Sequence, residues 1–217
     1  MTKLLNMTKR ILLFFLGVTI IQFGVALFLR TNIGSDPFTL FTQGLSFLLN
    51  TTPGRANMVI LICTTIIIIL VDRKRIKLGT VICAFGVGPI IDFCLWIASY
   101  IPVDSLNIVA KSAILLGGCF VIAVGFSILS ATEVGVAPND IIPFILVDKT
   151  KVQYKYVRIC LDLSFFILGA LFGGVFGVGT IIAMFVTGPF IQFCLPYGEK
   201  VVNKLVNVNN EEVETVA

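Results

Sequence analysis

The 217-residue chain contains no histidine. Ser-His-Asp and Cys-His nucleophiles, His-ligated zinc and histidine proton relays are therefore closed to it. Charge is scarce as well: Asp, Glu, Lys and Arg make up 13% of residues, against about 25% in a soluble domain. Six cysteines are present, but all sit inside apolar runs and none forms a CxxC pair. They read as small core hydrophobes, not as a disulfide framework or cluster ligands. The net charge is +4, yet no basic patch is interleaved with aromatics, so nucleic acid is not an expected partner. Gly173-Gly174 near Gly177 lacks the βαβ context of a nucleotide loop. No cofactor and no metal is expected, and no enzymatic activity.

What is abundant is apolar side chain, at 57% of residues with a mean hydropathy of +1.02. One core cannot hide that much apolar surface, so the lipid bilayer is the expected partner. The apolar runs are continuous over about 20 residues, which suits spanning helices and not barrel strands. The fold class is therefore all-α and polytopic. Six segments read as spans, at about 10–30, 56–72, 79–101, 107–130, 156–175 and 179–197. The first follows Lys3, Lys9 and Arg10; it is too long for a signal-peptide core and lacks a small-x-small site, so it reads as a retained helix. Two shorter apolar segments, 37–50 and 138–147, fit interfacial or re-entrant helices. Residues 199–217 read as a polar, disordered cytoplasmic tail.

The chain repeats itself. Ile33-Gly34-Ser35-Asp36-Pro37 recurs as Val134-Gly135-Val136-Ala137-Pro138, an offset of 101 (34 to 135). Gly79-Thr80 and Gly88-Pro89 recur as Gly179-Thr180 and Gly188-Pro189, an offset of 100 (79 to 179). Two blocks holding nearly one offset imply a duplication, with membrane repeats at 1–101 and 102–198. Charge then sets topology. With the N-terminus in the cytoplasm and 37–50 not spanning, Arg73, Lys74, Arg75 and Lys77 fall inside, with Lys149, Lys151, Lys155, Arg158, Lys200 and Lys204. Three spans per half make the second half inverted, with both termini cytoplasmic in the cell membrane.

Gly34-Ser35-Asp36-Pro37, its copy Gly135-Val136-Ala137-Pro138-Asn139-Asp140, and the Gly-Pro helices at 88–89 and 188–189 resemble the YczE/YitT-like family of bacterial integral membrane proteins. The resemblance covers nearly the whole chain to about residue 198. It implies a multi-pass plasma-membrane protein with transport suspected. The family usually places an acid two residues after the first proline. Here that place is Thr39, while the copy keeps Asp140.

Candidate site residues follow from polarity at membrane depth. Asp92 lies four residues after Gly88, and an ionisable group there defaults to a functional reading. Its repeat mate Gln192 is also polar, and two such groups from inverted halves converge where transporters bind substrate. An interhelical hydrogen bond or a place near the outer interface is the alternative for Asp92. Asp36 precedes Pro37 as an N-cap, and Asn139 and Asp140 fill the first turn of the copy. Asn32 and Gln22 complete the expected binding set. Gly34, Pro37, Gly135, Pro138, Gly88, Pro89, Gly188 and Pro189 are the expected breaks and hinges. Arg158 and Asp162, at i,i+4, read as a structural ion pair near the cytoplasmic end. If the short helices re-enter, their N-termini meet substrate; if they lie flat on the surface, they are only capped. The acids suit a cation, a proton-coupled solute or a zwitterion. The spacing of Gly169, Gly173 and Gly177 leaves close helix packing or a homodimer open.

The expected function is secondary transport of a small-molecule or ion substrate by alternating access. The alternatives are a regulatory or scaffold membrane protein, or the substrate-binding subunit of a larger transporter.

Overall fold

The computed structural model describes residues 2–103 and 105–214, with side chains described for 6–103 and 105–206. The described residues form eight α-helices and no strand. They are α1 (Thr2–Thr31), α2 (Pro37–Leu48), α3 (Pro53–Asp72), α4 (Leu78–Ala98), α5 (Ile108–Ala131), α6 (Pro138–Thr150), α7 (Tyr154–Leu171) and α8 (Val178–Glu214), with a 3-10 turn at Arg73–Arg75 after α3.

Five helical stretches are long and apolar enough to cross a bilayer: Asn6–Thr31, Pro53–Arg75, Leu78–Ala98, Ile108–Ala131 and Val178–Val206. The sixth expected span, 156–175, is α7, which ends at Leu171 and carries Lys155, Arg158 and Asp162 within 18 residues. Its charges keep it out of the set. The expected disordered tail also differs, because α8 continues as helix through Glu214. Val202 and Val206 are buried, and Lys9 Nζ donates to the Leu205 carbonyl at 3.0 Å.

Each short helix starts at proline, whose missing N–H costs nothing in a first turn. The linkers before them match position for position. Asn32 and Glu133 take positive φ of 52° and 58°, and Gly34 and Gly135 take 116° and 157°. Thr31 and Thr132 bond back to the carbonyls of Phe28 and Leu129 at 2.8 and 2.7 Å. The linkers then exchange partners. Gly179 N at the start of α8 donates to Ile33 O at 2.9 Å, and Gly79 N at the start of α4 donates to Val134 O at 3.2 Å. A Cβ on Gly34 would lie 2.5 Å from Thr180 Oγ1, and one on Gly135 would lie 3.0 Å from Gly79 Cα. Glycine is required at both places for backbone angle and for space.

At the centre, α1 and α5 cross antiparallel on glycines. Gly17 meets Gly125 and Leu129, while Gly24 meets Gly118 and Ile122; a Cβ on Gly24 would lie 2.8 Å from Gly118 O. Small residues let two backbones approach within lipid. α4 packs against α1, and α8 against α5.

The α5–α6 linker runs inward and α6 runs back. Glu133 pairs with Arg10 at 3.1 Å, and Lys77 reaches its carbonyl. Ala137 packs against the cluster of Phe14, Leu61, Cys83 and Val87. At the far end of α6, Asp148 pairs with Arg75, in the same turn as Lys77. α6 therefore starts inside the bundle and ends at the α3–α4 turn.

Candidate functional site

A cavity of about 410 Å³ lies where the two short helices begin. Every one of the eight helices or its leading linker contributes to it. Lining residues recur at the offsets of the repeated sequence blocks. Ile21 and Ile122, Val25 and Phe126, Phe28 and Leu129, Phe38 and Asn139, Thr39 and Asp140 all line it at the offset of 101. So do Asn57 with Arg158, and Leu61 with Asp162. On α4 and α8 the pairs are Cys83 with Ala183 and Val87 with Thr187, at the offset of 100.

The charged groups are unequally shared. Asp36 caps α2, its Oδ1 accepting from Phe38 N at 3.2 Å and Thr39 N at 3.1 Å. Capping satisfies donors the first helical turn leaves free and places a carboxylate on the positive end of the helix. On the opposite side α6 has no side-chain cap. Its Asp140 instead accepts from Asn139 Nδ2 at 3.3 Å and pairs with Arg158 Nη1 at 3.5 Å. Arg158 Nε also donates to Asp162 Oδ2 at 3.2 Å. One guanidinium thus holds two carboxylates on the wall. Asn57 is 5% exposed. Its Nδ2 is 3.5 Å from Thr42 Oγ1, and its Oδ1 is buried without a partner.

Of the expected binding residues, Gln22, Asp36, Asn139 and Asp140 line this cavity. Asn32 does not; it is an exposed linker residue whose backbone turns the chain. Asp92 and Gln192 do not line it either. Asp92 Oδ2 accepts from Thr52 Oγ1 at 2.7 Å and Oδ1 from Gly54 N at 2.9 Å, so it ties α4 to the first turn of α3. Gln192 is exposed on α8. The Arg158–Asp162 pair forms as expected, but as cavity wall. Its cavity position was legible: the offset that equates Gly34 with Gly135 also equates Asn57 with Arg158, and Leu61 with Asp162.

The hinge residues divide. Gly34, Gly135 and both prolines Pro37 and Pro138 shape the linkers and short-helix starts. Pro89 and Pro189 lie inside α4 and α8. Gly88 and Gly188 have different surroundings. A Cβ on Gly88 would lie 2.6 Å from Gly54 O and 3.0 Å from Met58 Cβ, whereas one on Gly188 would meet nothing within 4 Å. The cause is an unequal fold. α3 packs along α4, while their counterparts α7 and α8 stand apart and α7 packs on α2 instead. The cavity reaches into that gap, with Arg158 and Asp162 on α7 and Met184, Thr187 and Gly188 on α8.

Residues 8–196 match the family of unknown function DUF6198. The chain belongs to that family. It is 28% identical over 190 residues to the uncharacterized protein YyaS of Bacillus subtilis strain 168, covering 85% of this chain and 92% of the relative. It is 25% identical over 194 residues to the uncharacterized membrane protein YczE of the same organism, covering 89% of this chain and 88% of the relative. An uncharacterized protein of Haemophilus influenzae strain Rd is 26% identical over 188 residues, covering 87% and 83%. The YczE-like resemblance read from the glycine-proline elements is thus shown, and the chain is a membrane protein. No solved structure matches it.

Proposed function

We propose that this DUF6198 protein is a secondary transporter of a small solute, built from two inverted repeats of three spans and one re-entrant helix each. The observation that carries this reading is the cavity at which both short helices begin, closed on one flank by α3–α4 and split on the other between α7 and α8. Half-helices that point their N-termini at a central site are a recurring transporter device. Antiparallel crossing of the repeat mates α1 and α5 favours inversion, and the path of the α5–α6 linker favours re-entry over a flat surface helix. α7 then counts as the sixth span, with Arg158 and Asp162 facing the cavity and not lipid and Lys155 in its first turn.

With the basic Arg73–Lys77 turn in the cytoplasm, the α3–α4 seal lies on the outer side and the α7–α8 gap on the inner side. The conformation is inward-facing. Asp92, bonded to Thr52 and Gly54, belongs to the outer seal. Transport exchanges the two flanks: α7 closes on α8 while α3 leaves α4.

A substrate-independent experiment tests this. Thr187→Cys is placed in a background with the exposed thiols Cys63 and Cys160 and the cavity-lining Cys83 replaced, and oriented vesicles are treated with an impermeant cationic thiol reagent from either face. Alternating access predicts reaction from both sides, faster from inside. Reaction from one side only, or from neither, favours a scaffold or a fixed binding subunit and sinks the transporter.

A further inference from the structure

Resting on the cavity being the substrate site, we propose that it takes a small organic cation, a protonated amine on an apolar body. The charge balance comes first. Asp36, Asp140 and Asp162 line the cavity against one cation, Arg158, already shared between Asp140 and Asp162. The wall carries more carboxylate than guanidinium, and an anion would find its only counter-charge taken. Asp36 faces across from that trio with both of its bonds on Oδ1. The Oδ1 of Asn57, on a side chain 95% buried, has no donor and is an independent sign of a missing ligand donor, because a buried acceptor without a partner carries its full desolvation cost. Asn57 sits about one turn into α3 and lines the same cavity as Asp36, so an ammonium group held between them would meet a carboxylate and a carbonyl together.

The remainder of the wall is apolar and aromatic. Phe28, Phe38 and Phe126 line it with Ile21, Val25 and Leu61. Aromatic faces attract cations as well as apolar bodies. A bare metal ion would leave most of about 410 Å³ unfilled, and it would find no dense oxygen cage.

The test uses the purified full chain in detergent and four compounds that share a phenylalkyl body: 2-phenylethylamine, its neutral match 2-phenylethanol, 3-phenylpropionate and phenylalanine. Binding is measured by calorimetry. The amine should bind about tenfold or more tightly than the alcohol, as a charge-assisted contact allows, with the propionate weakest. Asp36→Asn keeps a capping oxygen and should remove that advantage while leaving alcohol binding unchanged. Asn57→Leu should weaken the amine selectively as well. No saturable amine binding, tighter binding of the propionate or of phenylalanine, or an unchanged amine affinity in folded Asp36→Asn overturns the proposal. Amine binding without two-sided labelling of Thr187→Cys refutes transport alone. Two-sided labelling without amine preference refutes the cation alone.

Discussion

Gly88 and Gly188 hold the same place in the two halves, yet one is pressed against backbone and the other is bare. That contrast can be turned into a measurement. In Gly88→Ala the new methyl would sit 2.6 Å from Gly54 O, about 0.7 Å or more inside ordinary contact distance. The clash is with backbone, so α3 and α4 must part. Parting them strains the Gly54 N–Asp92 bond at 2.9 Å. Overpacking of this kind costs about 1–3 kcal/mol, offset by up to about 1 kcal/mol of helix propensity. For a chain this size each kcal/mol moves Tm by about 2–4 °C. Gly88→Ala should therefore melt several degrees lower than the parent, while Gly188→Ala should melt at or slightly above it. Thermal melts in detergent, followed by the fluorescence of Trp96 on α4, read the difference. Gly188→Leu separates stability from function. It should fold, because the position opens on the cavity, but it should abolish exchange of 2-phenylethylamine in proteoliposomes by blocking closure of α7 on α8. Equal melting of the two alanine variants would refute the packing argument. A folded Gly188→Leu with full exchange, or with unchanged two-sided labelling of Thr187→Cys, would refute the closing step.

Three further outcomes are expected. Asp92→Ala removes acceptors for Thr52 Oγ1 and Gly54 N and should lose about 1–3 kcal/mol of stability, read by thermal melts, while calorimetric amine affinity stays within about twofold; a selective loss of affinity would return Asp92 to the binding site. Arg158→Gln leaves Asp140 and Asp162 facing each other without a cation, and should cost about 1–3 kcal/mol given their partial exposure; Asp140→Asn in the same chain should recover part of it, and no recovery would show that the pair does not act through Arg158. Phe47→Cys and Lys149→Cys, exposed near the far ends of α2 and α6, should react with an impermeant thiol reagent from opposite faces of the membrane, and reaction from the same face would end the inverted arrangement.

The repeated sequence blocks are the most legible feature because they are arithmetic. Gly34 with Gly135 and Gly79 with Gly179 fixed two blocks, and the structure bonds those blocks across the halves through Ile33 O and Val134 O. Helix starts were legible for a similar reason, since proline after a short polar residue has one cheap place in a helix. The number of spans was less so. α7 hides three charged residues inside a helix of spanning length, and hydropathy alone cannot tell a charge facing a cavity from one facing lipid. Asp92 lies outside the cavity and makes the interhelical bonds that are the alternative reading of its sequence position, because its surroundings depend on which helix start lies opposite. That partner, Thr52-Pro53-Gly54, is 38–40 residues away in sequence and carries no local signal pointing to α4.

The unequal halves carry one more consequence. A symmetric protein would place the same residues at both flanks, and its two conformations would be equal in energy. Here Gly54, which admits the close α3–α4 contact, is matched in α7 by Lys155, and Asp92, which ties the seal, is matched by exposed Gln192. The closed α7–α8 flank therefore has neither the small residue nor the carboxylate that hold the α3–α4 flank shut. The ligand-free protein should rest with α7 and α8 apart, as observed. A ligand held by Asp162 on α7 and reaching Thr187 on α8, both of which line the cavity, would supply the attraction this flank lacks. Substrate would then be required to close it, since a ligand shifts such an equilibrium only through contacts that differ between the two states. Spin labels on α7 and α8 should accordingly approach each other when 2-phenylethylamine is added, and not with 3-phenylpropionate. Labels that stay apart at saturating amine would mean that the bound cation does not drive closure.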